Sequence, residues 1–147
     1  MKQKILIIEN PLILGKTLAE ILGRFNMITF YTKNEEETIE VLNKEKPEVI
    51  MIEPVLPHNF LTDAKKTIRG SEYIGVGLYI LEKIEEIIKN FTKTPRIFIY
   101  TVASLAILEK DGFQISKLED RSNYRYKRKP YAIDDILMEI ILEEIEL

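Results

Sequence analysis

Residues 48–57 read Glu-Val-Ile-Met-Ile-Glu-Pro-Val-Leu-Pro. Val49 to Ile52 is an unbroken apolar run with no polar face to turn to water, which predicts a short strand covered on both sides. Glu53-Pro54 closes it, because proline has no N–H to give to a central ladder. An acid therefore stands at the carboxyl end of a buried strand, and Pro54 and Pro57 mark the loop beyond it.

Similar runs stand at Lys4–Ile8 and Arg96–Tyr100, with Met27–Tyr31 and the less apolar Asn123–Lys127 as the second and fifth strands. Helical spacing fills the intervals. Leu14, Leu18, Ile21, Leu22 and Phe25 predict a first helix. A second follows Asn34, with Glu35, Glu36 and Glu37 in its first turn and Ile39 and Leu42 inward, and must end near Pro47. Gly75 to Asn90 places Leu78, Leu81, Ile84 and Ile88 on one face, and Ala103 to Lys110 is a short helix broken by Asp111-Gly112. The last helix follows Pro130, with Asp134 and Asp135 in its first turn and Ile133, Ile136, Leu137, Ile140 and Ile141 as its stripe. Strands alternating with helices predict an α/β fold, a doubly wound five-stranded parallel sheet.

Composition bounds the chemistry. The 147 residues suit one domain, residues 1–147, and 46% hydrophobic residues supply its core. Having no cysteine and one histidine, His58, the chain has no disulfide and no multi-histidine zinc site, so a metal would be a hard ion held by oxygens. A net charge of -3 gives no general attraction to phosphate backbones, and no direct nucleic-acid contact is expected. No apolar run reaches the roughly 18 residues of a membrane helix and no leader pattern opens the chain, so a cytoplasmic location without membrane contact is expected. Arg121, Arg125, Lys127, Arg128 and Lys129 precede an acidic tail with Glu139, Glu143, Glu144 and Glu146, read as two solvated faces of opposite sign.

In parallel sheets the chemistry gathers beyond the carboxyl ends of the strands. The residues there are Glu9-Asn10, Glu53, Thr101 and Lys129. Carboxylates suit magnesium, and a hydroxyl with an ammonium suits phosphoryl oxygens. In this order the motifs KILIIEN (4–10), EVIMIEPVLP (48–57), TPRIFIYT (94–101) and YKRKPY (126–131) resemble those of the receiver domains of two-component response regulators. The resemblance implies a flavodoxin-like fold, a phosphoacceptor position at Glu53, a magnesium site of Glu9, Asn10 and Glu53, a phosphoryl-binding Lys129, and a switch pair of Thr101 and Tyr126. It covers nearly the whole chain except about 58–74, an expected insertion whose Lys65, Lys66 and Arg69 belong either to a lid or partner element or to a surface loop.

Two departures shape the expectation. Glutamate stands at position 53 where the family pattern has aspartate, and an extra methylene displaces a carboxylate by about 1 Å, enough to cost on the order of a hundredfold where positioning governs a reaction. Asn10 replaces an acid, so magnesium binding should be weak or lost. The expectation is an atypical stand-alone receiver, not an enzyme beyond chemistry on its own acceptor, that signals by protein contact without efficient phosphorylation. Its partner would be a sensor kinase, phosphotransfer or output protein, or a second copy met through the face around the fourth helix and fifth strand, where Tyr124 and Tyr126 lie. Because the chain ends with the last core helix, no output domain is expected to follow.

Two alternatives stay open. In the first, Glu53 accepts a phosphoryl group with magnesium held by Glu9 and Asn10; where it accepts none, Glu53 is either a solvated strand-end acid or a fixed imitation of the phosphorylated state. The third reading, a nucleotide- or small-molecule-binding module, rests on Gly15-Lys16-Thr17 after a strand. Against it, Pro11-Leu12-Ile13-Leu14 supplies no glycine for a phosphate cradle and better suits a helix capped by Asn10. Gly75-Val76-Gly77 likewise lacks a preceding strand and the last glycine of a dinucleotide motif.

Overall fold

The computed structural model describes residues 3–9, 23–24, 27–62, 74–101, 103–110, 112 and 123–128. Its elements are β1 (Lys4–Ile8), β2 (Ile28–Thr32), α1 (Glu35–Glu45), β3 (Val49–Ile52), a single 3₁₀ turn (His58–Phe60), α2 (Ile74–Ile88), β4 (Arg96–Thr101), α3 (Leu105–Lys110) and β5 (Tyr124–Arg128). The expected first and last helices, most of the 58–74 stretch, Asn10, Lys16 and Lys129 lie outside the described residues.

All strands are parallel, in the order β2-β1-β3-β4-β5. From β1 the chain steps one way to β2 and then returns past β1 to β3, so the order reverses between β1 and β3. That crease is where open α/β sheets form their sites. Every residue of β3 is buried, as are Ile5 to Ile8 of β1, because side chains on both faces pack. Leu6, Ile8, Ile50, Ile52, Ile97 and Ile99 join one core cluster with Leu42 of α1 and Val76, Ile80, Leu81 and Ile84 of α2. Their neighbours Ile7, Met51 and Phe98 alternate to the opposite face and are equally buried.

The α1 helix begins as expected. Asn34 is extended and its side chain accepts from the Glu37 N–H at 2.8 Å, a cap worth about 1 kcal/mol. The Glu37 carboxylate reaches back to the Lys33 N–H at 2.9 Å, which ties the entering chain to the first turn. The inward face corrects the expectation: Leu42 is buried, but Ile39 is only half-buried, and Thr38 and Glu35 fill the inner positions one and two turns earlier. Thr38 is satisfied by the Asn34 carbonyl and the Thr32 hydroxyl, each at 2.8 Å. Glu35, 7% exposed, accepts from the Thr62 N–H at 2.9 Å and the Tyr79 hydroxyl at 3.1 Å. Its carboxylate thus joins α1 to the end of the 3₁₀ turn and to α2.

In α2 the glycines are helical, so the dinucleotide motif has no structural counterpart there. Leu78 is half-buried, while Val76 and Ile80 lie deeper, which widens the buried face beyond the expected stripe.

Candidate functional site

Ile8 and Ile52 are paired across β1 and β3, and the ladder runs one residue further, where the Glu53 N–H donates to the Ile8 carbonyl at 2.9 Å. Glu9 and Glu53 therefore stand side by side at the crease, 2% and 3% exposed. Thr101, the last residue of β4, is fully buried beside them. The fold places each group by ending a buried strand at it, so that the strand's apolar side chains fix the backbone and the first polar residue emerges at the rim.

The Thr101 hydroxyl donates to Glu53 Oε1 at 2.5 Å, in the range of a charge-assisted O–H···O⁻ bond. The same oxygen accepts from the Val55 N–H at 2.9 Å, which folds the carboxylate back over its own loop. With its proton committed to Glu53, Thr101 Oγ1 accepts from the Ala103 N–H at 3.0 Å. The Ala103 carbonyl accepts from the Tyr126 hydroxyl at 2.7 Å. A relay thus leads from Glu53 just after β3, through Thr101 at the end of β4 and Ala103 beyond it, to the Tyr126 ring on β5, which packs half-buried against the core. Sequence reading names Glu53, Thr101 and Tyr126 but misses Ala103, whose part is played by its backbone and leaves no trace in residue type.

Another contact missed from sequence lies under the loop. A Cβ on Gly77 would sit 2.0 Å from the Pro54 carbonyl oxygen and 2.5 Å from its Cα. The first turn of α2 is pressed directly on the backbone that follows Glu53, and only a residue without a side chain permits it.

Tyr31 extends the site across β1. Burial first, and then the Glu9 and Glu37 carboxylates, raise its hydroxyl above the ordinary value of 10.0. A folded-state value above the unfolded one gives stability that is complete below pH about 10 and is lost as pH rises through the folded value. The difference in urea midpoint between wild type and Tyr31→Phe is expected to move against the wild type above pH 10; a difference independent of pH contradicts this. His58 sits in the 3₁₀ turn, and among the described residues its buried Nε2 has no hydrogen-bond partner.

Among the described residues no group of three or more acids and histidines comes together to hold a metal ion. Magnesium demands octahedral oxygens at roughly 2.0–2.1 Å. Glu9 and Glu53 alone fit that demand poorly, since Glu53 Oε1 already accepts from Thr101 and Val55. Asn10 and Lys129 lie outside the described residues.

In sequence, no protein-family model and no curated protein matches the chain. In structure it is similar to a two-component response regulator from Clostridium difficile (TM-score 0.68, 20% identity, 99% of this chain and 100% of that one covered). It is also similar to a CheY-like receiver domain from Methylobacillus flagellatus (0.63, 17%, 99% and 99%). A third neighbour is a response regulator from Burkholderia pseudomallei, solved with a phosphorylated aspartic acid, calcium ion and citrate (0.60, 20%, 97% and 73%). The fold is the flavodoxin-like α/β fold of receiver domains. Among the described residues no helix is long and apolar enough to cross a membrane.

Proposed function

We propose that this chain is a receiver-type signalling module of a two-component system whose switch is held in its set arrangement by the Glu53 carboxylate. It works by contact with a kinase, phosphotransfer or output protein, without efficient phosphoryl transfer. The observation that carries this reading is the 2.5 Å bond from Thr101 to Glu53 Oε1. In the receiver resemblance Thr101 binds a phosphoryl oxygen and the switch aromatic turns inward with it. Here the longer glutamate side chain brings its own oxygen to the Thr101 hydroxyl, and the Tyr126 hydroxyl is drawn to the Ala103 carbonyl one link further on.

The same geometry disfavours attack on a phosphodonor, because the two bonds to Oε1 hold the Glu53 carboxylate folded back over its own loop and away from free reorientation. Incubation with acetyl phosphate and magnesium, followed by intact-mass measurement, is expected to leave the protein unmodified. A phosphoryl adduct that vanishes in Glu53→Gln overturns the proposal in favour of a working phosphoacceptor.

A further inference from the structure

On the side of the molecule away from the Thr101–Tyr126 relay, α1 and α2 border a groove of about 470 Å³. Ile39, Ile87 and Phe91, all half-buried, give it an apolar floor, and Ile87 and Phe91 rest their inner sides on the core. Its rim carries Lys46, Lys83 and Lys89 against a single acid, Glu86. In a chain of net charge -3 this is a local inversion of sign. Among the described residues none of the three ammonium groups meets a carboxylate. Lys46 Nζ lies 5.2 Å from the Phe91 ring centre and donates to the Asn43 carbonyl at 3.3 Å, and Lys83 Nζ lies 5.7 Å from the Tyr79 ring centre, so two of the cations are steadied by rings rather than by carboxylates.

The backbone of Lys46 is also unusual. It follows α1 with φ 47 and ψ 62, in the left-handed region where glycine is favoured at a helix end. Its N–H closes the helix on the Leu42 carbonyl at 3.2 Å. A lysine held there is locally unfavourable for folding, and its side chain stands at the groove mouth.

The geometry points to this groove as the docking site of an acidic amphipathic helix from a partner protein. The apolar face of that helix lies on Ile39, Ile87 and Phe91, and its carboxylates meet Lys46, Lys83 and Lys89. A groove between two helices, apolar in its floor and charged at its rim, accepts a helix through anchors one turn apart, and the cations choose an acidic one. The surface is separate from the switch, so it stands or falls independently of the function proposed above.

The test uses a synthetic fluorescent helical peptide with a leucine stripe flanked by glutamates, and the same peptide with lysines for glutamates. Lys46→Gly removes a cation while suiting the left-handed backbone, so it keeps the fold; it is combined with Lys83→Gln and Lys89→Gln. Saturable anisotropy change is expected for the acidic peptide only, with affinity lower by about tenfold in the triple variant, since each exposed pair contributes a few-fold. Amide shifts are expected to concentrate at 39–46 and 83–91. Absence of saturable binding, equal affinity of the triple variant, equal binding of the basic peptide, or shifts centred on 105–110 and 124–128 overturns the proposal. Self-association of the wild type that the triple variant abolishes also overturns it, because the occupant would then be a second copy.

Discussion

Gly77→Ala is expected to destabilise the protein by about 3 kcal/mol, toward the upper end of overpacking costs. Its sign is the informative part. In an ordinary helix interior, alanine in place of glycine gains about 1 kcal/mol. Here the added methyl would lie 2.0 Å from the Pro54 oxygen, a backbone atom that no rotamer change can move aside. The first turn of α2 or the loop after Glu53 must therefore shift. Domains have roughly 5–15 kcal/mol to lose, so the loss should appear as a clear drop in urea midpoint. Gly23, whose substituent would meet nothing within 4 Å, is the control: Gly23→Ala should be neutral or stabilising. Equal behaviour of the two variants would show that α2 does not press on the loop after Glu53.

The second large effect is expected for Thr101→Val, which keeps the shape of the side chain and removes the hydroxyl. The fully buried site then loses a donor to Glu53 Oε1, and the Ala103 N–H loses its acceptor. Leaving such buried groups short of partners costs about 1–3 kcal/mol. If the relay is continuous, the variant also loosens the Ala103 carbonyl that Tyr126 binds. Fluorotyrosine NMR should report a more exposed Tyr126 ring, and the double variant with Tyr126→Phe should show a coupling of about 0.5–3 kcal/mol. Strict additivity would mean that the two ends of the relay are independent.

The strands were legible because their signal is local. β1 and β3 begin and end where the apolar runs do, at Lys4–Ile8 and Val49–Ile52. β2 and β5 are displaced by one residue from Met27–Tyr31 and Asn123–Lys127, since the edge strands carry mixed residues whose pairing, not their pattern, sets the limits. Asn34 marked the start of α1 for the same local reason, as its side chain bonds three residues ahead.

What depends on distant partners was not legible. Glu35 stands between Asn34 and two further glutamates and looks like an acid of a solvated first turn; only the Thr62 N–H and the Tyr79 hydroxyl make its burial tolerable. Gly77 looked like part of a failed nucleotide motif because Pro54, which requires it, belongs to another element. At the site, strand ends announced Glu9, Glu53 and Thr101, whereas the hydrogen bonds that join Glu53 to Tyr126 depend on how β3, β4 and β5 are set side by side. The contributions of Asn10 and Lys129 stay as sequence expectations.

Under the proposed reading, the bond between Thr101 and Glu53 stands in for a timed covalent mark. A phosphoryl group is added and removed, so a signal that depends on one has a lifetime set by hydrolysis. The oxygen that Thr101 meets here belongs to the polypeptide itself. On that reading nothing has to be attached to write the state, and no covalent bond is hydrolysed to erase it. A receiver of that kind carries no hydrolytic clock, and its signal follows the copy number of the chain.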